Sequence, residues 1–339
     1  MRAFAKISLA LIALMATPAL SQVQLQQQAA GDNVVERMPV HAWIGLTNSV
    51  GSGTFATKAF FNPTVQTQLS LTPMIMWKGW QLLVNQSIGF EWTDADGNTN
   101  PHQLELSDTS IGLRNLALLR FPDAKLSLWP SVGYAVPISL ASRNAGSLGT
   151  FTAGLRANWA GLSDYGLTIF GGVNGGYTAL NGNNSGSQGQ EVKPIGDITP
   201  VTCNTRNGSE IGNYACLDGN LPSVSRWGAS VGAWWFYLLD GNLGFSANFG
   251  YNQSFSVATG KDDDLKAEHA FAGLVPRQNM SSDISATYMP VGWLWLSLGA
   301  STAQPFLSAD GNRMRFPIWD FESASNNFSS FYFDATFAL

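Results

Sequence analysis

The sequence predicts an all-β fold, a single closed antiparallel barrel of about twelve strands that crosses a membrane. Apolar and polar residues alternate with a period of two along most of the 339-residue chain. Only 12% of the residues are charged, whereas soluble domains average roughly 25%. After the N-terminal residues, no stretch supplies the roughly 18 uninterrupted apolar residues of a membrane helix. A closed barrel is the other structure that satisfies backbone hydrogen-bonding groups in lipid, so these observations together favour it.

Residues 1–21 are predicted to be a secretory signal peptide. Positive charges at Arg2 and Lys6 precede a short apolar run, and small residues follow at the cleavage positions. The apolar run is too short to span a membrane as a helix. We therefore expect a periplasmic N-terminal segment over residues 22–39 and the barrel over residues 40–339.

Alternation is clearest over residues 243–257, where aromatic and aliphatic side chains share one face and Gly, Ser and Asn share the other. A period of two is typical of strands that are buried on one side only. The first and fourth predicted strands are the least regular. The twelve predicted strands are 40–50, 64–77, 80–93, 103–119, 125–139, 148–160, 165–180, 223–238, 243–257, 278–289, 293–305 and 328–339.

Short and long connections between these strands alternate strictly. Turns of a few residues, such as Lys78-Gly79, are followed by polar segments as long as 181–222. In outer-membrane barrels the short turns are periplasmic and the long loops extracellular, so both termini are predicted to be periplasmic. A secreted, soluble β-sandwich is the alternative, but it gives no reason for every long loop to lie at one end. A count between about ten and about fourteen strands is compatible with the pattern.

Aromatic residues cluster at the ends of the predicted strands, as expected for rings at two interfaces between water and lipid. Aromatic residues of a soluble core would instead lie in the middle of the strands. Those next to tight turns are Trp77, Trp80, Trp159, Tyr165, Tyr237 and Trp293, and those near long loops are Trp92, Tyr177, Trp227 and Phe255.

The last strand carries aromatic residues at Phe331, Phe333 and Phe337 and ends the chain at Leu339. It resembles the C-terminal signal by which outer-membrane barrels of Gram-negative bacteria are passed to their assembly machinery, although that signal usually ends on an aromatic residue. The chain as a whole resembles this class and, more loosely, porin-like or transporter-like barrels of about a dozen strands. The resemblance implies an outer-membrane location, contact with lipid and lipopolysaccharide, and the barrel-assembly machinery as a partner in biogenesis.

Charged residues on the polar strand faces are predicted to line the lumen, because an Arg or Lys that faced lipid would cost about 2–4 kcal/mol. Their transverse field would orient and select small hydrophilic solutes in a passive channel. The alternative is a lumen closed by salt bridges. A backbone radius of about 12 Å leaves room for small molecules only. The lumen candidates are Arg114, Lys125, Arg156, Arg226, Glu91, Asp283 and Asp334.

Cys203 and Cys216 lie in the longest predicted loop of an exported chain, which predicts a disulfide between them. The three His residues lie on separate segments without a nucleophile or carboxylate at motif spacing. We therefore predict that the chain is not an enzyme and holds neither a cofactor nor a metal. The net charge of −5 argues against a nucleic-acid partner.

A second function is compatible with the sequence, namely a closed barrel that acts as an envelope scaffold or surface receptor. Its long loops, 181–222 and 306–327, would then bind an envelope protein partner. The second of these loops is rich in aromatic residues and Met, which favours a docking surface. The docking candidates are Met314, Phe316, Trp319 and Phe321.

Overall fold

The structure is a computed structural model that describes residues 40–57, 61–93, 102–116, 118–144, 146–180, 223–256, 276–308, 311–322 and 324–339. The predicted signal peptide and N-terminal segment lie outside these residues and stay predictions.

The described residues form a barrel of twelve strands, and the fourth strand is divided into three short pieces. The strands are β1 Val40–Gly51, β2 Val65–Trp77, β3 Trp80–Glu91, β4 (Leu104–Leu106, Thr109–Asn115 and Leu119–Phe121), β5 Leu126–Val136, β6 Ser147–Leu162, β7 Leu167–Leu180, β8 Ser223–Leu238, β9 Leu243–Ser256, β10 Pro276–Val291, β11 Leu294–Pro305 and β12 Ser329–Ala338.

Each strand pairs antiparallel with the next, and β12 pairs with β1, which closes the sheet into a barrel. At this seam Trp43 lies opposite Ala338, and Val50 lies opposite Phe331. A path that steps from each residue to its paired neighbour once around the barrel arrives back on β1 about 16 residues from its starting point. For twelve strands, this shear corresponds to a strand tilt of about 45° and a backbone radius of about 12 Å. The predicted fold class is therefore confirmed.

Strand β4 is interrupted because side chains replace part of its backbone ladder. At its first break the Ser87 amide donates to Ser107 Oγ at 3.0 Å. At its second break the Leu118 amide donates to Asn115 Oδ1 at 2.5 Å. The sequence predicted this irregularity correctly. Strand β1, whose alternation is also among the least regular, is continuous because it pairs along its length with β2 on one side and β12 on the other.

Tight turns connect the strands at one end of the barrel, which we term the turn end, and the longer connections lie at the opposite loop end. Lys78 and Gly79 have φ values of 46° and 81°, the left-handed backbone of a two-residue type I′ hairpin. A five-residue helix, α1 (Leu140–Asn144), lies in the connection between β5 and β6 at the loop end. Among the described residues, none of the helices has the length and apolar character needed to cross a membrane.

The outer wall of the barrel is apolar. Leu71, Val132, Phe151, Val231 and Leu298 are examples of its exposed side chains. All of the aromatic residues predicted beside tight turns are exposed on the surface, and of those predicted near long loops Trp92, Tyr177 and Trp227 are exposed and Phe255 is half-buried. Large exposed apolar residues around the whole circumference are what a strand wall in contact with lipid requires.

Candidate functional site in the barrel lumen

The inner wall toward the loop end is lined by small polar side chains. Hydroxyl groups on neighbouring strands pair across it, with Thr150 and Thr178 joined at 2.9 Å and Ser301 and Ser330 also at 2.9 Å. These residues occupy the opposite phase of the alternation from the exposed apolar residues of the same strands. The loop-end part of the lumen is therefore polar, as the sequence predicts.

Toward the turn end the same inward face carries large apolar side chains. Five aromatic residues here are between 2% and 7% exposed, so they pack tightly against other lumen side chains. Together with one buried methionine they form what we term the aromatic belt, which consists of Trp43, Met74, Trp129, Phe170, Trp234 and Trp295.

Contacts link the belt across the barrel seam and along the strands that follow it. The rings of Trp295 and Trp43 meet edge to face with centroids 5.8 Å apart, and Trp43 packs against Met74. Gln81 Nε2 donates to Met74 Sδ at 3.0 Å, and Gln81 Oε1 accepts a hydrogen bond from Arg114 Nε. Side chains from β11, β1, β2, β3 and β4 therefore form one continuous packed layer along the inner wall.

Two arginines, Arg114 and Arg156, complete this layer on the opposite side, and we term them the arginine pair. Their guanidinium carbons each lie 5.9 Å from the ring centroid of Trp129. The Arg156 guanidinium also lies 4.3 Å from the ring of Phe170 and 4.9 Å from that of Trp234. Aromatic ring faces attract a cation, so three rings hold the Arg156 charge in place.

The layer contains an excess of hydrogen-bond donors. The Gln81 and Asn158 side-chain oxygens already accept from the Nε atoms of Arg114 and Arg156, the second at 3.0 Å. Several buried nitrogens nearby have no hydrogen-bond partner among the described residues. They are Arg114 Nη2, Arg156 Nη2, Trp129 Nε1, Trp295 Nε1 and Asn158 Nδ2.

Glycines occupy inward positions next to the arginine pair, two of them on its loop-end side. Gly112 and Gly154 are the inward residues that precede Arg114 and Arg156 along their strands, and Gly172 is paired with Arg156 in register. The side chains of the arginine pair are therefore bordered by small residues toward the loop end.

Acidic residues lie on the opposite wall of the lumen, on β10 and β12. Asp334 is buried and accepts hydrogen bonds from Thr47 at 2.6 Å and from Thr336 at 2.7 Å. Asp283 faces inward on β10, beside the Tyr332 side chain of β12. With the arginine pair on β4 and β6, the charges are separated across the lumen.

The remaining two lumen candidates on strands lie closer to the loop end. Glu91 is buried at the end of β3 and accepts a hydrogen bond from Thr93 Oγ1 at 3.0 Å. Arg226 on β8 lies directly against Gly176 of β7, where a Cβ atom would be only 3.0 Å from its Nε. Both side chains therefore lie on the inner wall, above the belt.

Lys125 does not line the lumen, and this prediction was wrong. It is an exposed residue of the turn between β4 and β5, with φ of 48°, and its Nζ lies 3.6 Å from a carboxylate oxygen of Asp164 in the next turn. Strand alternation does not extend to Lys125 because the chain reverses direction there.

The connection from β11 to β12 folds back over the outer wall, and we term residues 306–328 the strap. Hydroxyl groups on the outward face of the barrel hold its backbone. Ser282 Oγ donates to the Pro317 carbonyl at 2.6 Å, and Thr302 Oγ1 donates to the Ile318 carbonyl at 2.7 Å. The strap thus covers polar groups on a wall that is otherwise apolar.

The strap places the predicted docking residues in two environments. Met314, Phe316 and Phe321 are exposed. Trp319 packs against the barrel, with its ring centroid 4.7 Å from that of Phe331. Three of the four candidates are therefore available to a partner, whereas Trp319 contributes to anchoring the strap.

Two further predictions concern bound groups and cross-links. Cys203 and Cys216 lie outside the described residues, so their disulfide stays a prediction. Within the described ranges, no group of three or more potential metal-binding side chains is found.

A closed antiparallel barrel with an apolar outer wall, exposed aromatic residues at both ends and a polar inner wall is a transmembrane β-barrel of the outer-membrane class. No protein-family model and no curated protein sequence matches the chain.

Solved structures similar to the chain include a KdgM porin in complex with disordered oligogalacturonate, at 5% identity and a TM-score of 0.41 over 87% of this chain and 98% of that one. An outer membrane channel from Pseudomonas putida F1 has 9% identity and a TM-score of 0.49 over 88% and 95% of the two chains. The Pseudomonas putida toluene transporter TodX has 11% identity and a TM-score of 0.34 over 91% and 93%.

The aromatic belt was not predicted from the sequence, although a signal for it exists. Trp129 shares its phase of alternation with Ser127 and Ser131, and Trp234 shares its phase with Ser230 and Gly232. A large aromatic residue on the polar phase of a strand therefore indicates a side chain that projects into the lumen.

Proposed function

We propose that the protein is a passive outer-membrane channel for small hydrophilic solutes, with its loop end outside the cell. The inner wall is the observation that carries this proposal, because polar side chains line it from the loop end down to the aromatic belt while the outer wall is apolar. The solute gradient supplies the driving force. Contacts with lipopolysaccharide and with the barrel-assembly machinery belong to the same proposal.

The aromatic belt is the narrowest section of this channel. Its side chains fill much of a lumen whose backbone radius is about 12 Å. The conductance of the native protein is therefore expected to be small. The belt would let only small solutes pass and would exclude large ones.

Planar-bilayer recording of the purified protein tests the channel. The double variant Trp129→Ala/Trp234→Ala removes two belt rings and is expected to raise single-channel conductance by at least about twofold, because the narrowest section limits flow. Trp227→Ala removes a ring exposed on the outer wall and serves as the matched control, with conductance expected to stay at the native value.

Folding of each variant is checked by the mobility shift between unheated and heated samples on a denaturing gel. A native protein and a double variant that are both folded and both non-conducting would contradict the channel.

A surface receptor or scaffold is the second candidate, and the strap favours it. Met314, Phe316 and Phe321 are exposed apolar residues on a backbone that hydrogen bonds hold against the barrel. Such a preformed apolar patch is typical of protein docking. Cross-linking in intact cells tests this function, since Phe316→Ser/Phe321→Ser should remove a cross-linked envelope protein without changing conductance.

A further inference from the structure

Among the described residues, the arginine pair carries two positive charges without an acidic partner. Arg114 is only 7% exposed, and neither arginine forms a salt bridge within the described part of the chain. Each guanidinium carbon is 5.9 Å from the Trp129 centroid, so the two lie no more than about 12 Å apart and their like charges repel across an apolar layer. Buried charges are normally paired, so this arrangement favours an anion.

The free donors around the pair define which anion fits. Among the described residues, Arg114 Nη2, Arg156 Nη2 and Trp129 Nε1 have no hydrogen-bond acceptor, and the Gln81 and Asn158 oxygens each accept one guanidinium Nε–H. A neutral polyol would bring hydroxyl donors that also need acceptors. An ionised carboxylate only accepts hydrogen bonds and matches the planar guanidinium group in a two-point contact.

The aromatic rings define the rest of the molecule. Trp129, Phe170 and Trp234 surround the Arg156 guanidinium with apolar surface. A strongly hydrated ion such as phosphate would lose more hydration free energy here than a carboxylate attached to an apolar group. Ring faces also favour a planar group that can stack on them.

We propose that the arginine pair and the aromatic belt bind a small organic carboxylate with an apolar ring or chain, at the loop-end face of the belt. Gly112 and Gly154 precede the two arginines on that side and Gly172 pairs with Arg156, so these three positions add no side chain of their own, and the side chains beside them are those of Leu83, Ser131 and Asn174. This inference rests on the proposed channel function and names its solute class. Binding at the belt makes the channel selective for anions.

Isothermal titration calorimetry on the purified full-length barrel in zwitterionic detergent tests the site, with benzoate as the probe. Benzamide has nearly the same shape but no charge and serves as the matched ligand control. Benzoate is expected to bind saturably at one site and benzamide at least about tenfold more weakly, because a charge-assisted hydrogen bond is lost. Equal binding of the two probes by the native protein would overturn the proposal.

Variants locate the site within the lumen. Arg114→Gln/Arg156→Gln is expected to weaken benzoate binding at least about tenfold. Arg226→Gln removes another lumen arginine outside the belt and should leave binding unchanged. If the double variant does not fold, Arg156→Lys keeps the charge and should bind benzoate more weakly than the native protein but still in preference to benzamide. Native-like binding by the folded double variant would overturn the site.

Reversal potential in a salt gradient separates this proposal from the channel itself. Native channels should favour anions, and Arg114→Glu/Arg156→Glu should shift the preference toward cations. A barrel that binds benzoate but does not conduct ions would contradict the channel function and support the carboxylate site. A barrel that conducts ions without a preference for anions and does not bind benzoate would contradict the carboxylate site and support the channel function.

Discussion

Thr47 Oγ1 lies 2.6 Å from Asp334 Oδ1, a hydrogen bond that crosses the seam between the first strand and the last. The two residues are 287 positions apart in the chain, so the bond forms only when the barrel closes. Asp334 is buried and also accepts a hydrogen bond from Thr336 at 2.7 Å, so its carboxylate connects three side chains at the point of closure.

Replacing Asp334 with Ala is expected to lower the free energy of unfolding by about 1.5–3 kcal/mol, because hydrogen bonds to a charged group are lost. Asp334→Asn keeps an acceptor and should lose less. Urea unfolding of the protein in lipid vesicles measures the difference. Thr67→Val is the control, with little change expected, because it breaks only exposed hydrogen bonds, one to Asn48 at 2.7 Å and one from Trp92 at 2.8 Å. If the Asp334→Ala variant has the same free energy of unfolding as the native protein, the stability of the seam does not depend on this carboxylate.

The strap is predicted to depend on a buried ion pair between Arg315 and Asp320, whose nitrogen and oxygen lie 3.1 Å apart with side chains 7% and 1% exposed. Removing one partner of a buried pair typically costs about 3–5 kcal/mol. Asp320→Ala should therefore release the strap and speed trypsin cleavage after Arg315 on intact cells.

The strap contains its own control, the exposed pair Arg313 and Glu322 at 3.0 Å. Exposed pairs contribute at most about 1 kcal/mol, so Glu322→Ala should leave the cleavage rate near the native value. Equal cleavage of both variants would contradict the anchoring role of Asp320.

Orientation in the membrane can be tested with a matched pair of glycines. Gly241 at the turn end and Gly311 at the loop end both have positive φ and no atom within 4 Å of an added Cβ. An epitope tag inserted after Gly311 should be labelled by antibody on intact cells, and one after Gly241 only after the outer membrane is permeabilised. Labelling in the reverse order would invert the proposed topology.

The predicted disulfide between Cys203 and Cys216 should be present in protein isolated from the envelope, because exported chains pass through an oxidising compartment. Mass mapping of peptides without reduction should find the two residues joined. On the chain-entropy model the cross-link would stabilise the loop by up to about 3 kcal/mol. Two alkylatable thiols in freshly isolated membranes would exclude it.

Strand positions could be predicted from the sequence because the signals for them are local. Alternation over residues 243–257 requires only neighbouring residues on one strand, and it places them on two faces. The Lys78-Gly79 hairpin is similarly local, since the turn depends on two residues. The same reasoning placed Arg156 on the inner wall, but it failed at Lys125, where the strand has already ended.

The sequence by itself determined the barrel, its strand faces and the alternation of turns and loops, because a period of two and turn residues act within single strands and hairpins. Only the tertiary structure decided which inward residues share one level of the lumen. Arg114, Trp129 and Arg156 come from three strands, and their contact depends on strand register and barrel stagger. The position of the strap on the outer wall could not be predicted from the sequence either. Its anchors Ser282 and Thr302 lie on β10 and β11, and they contact the strap only after the sheet has formed.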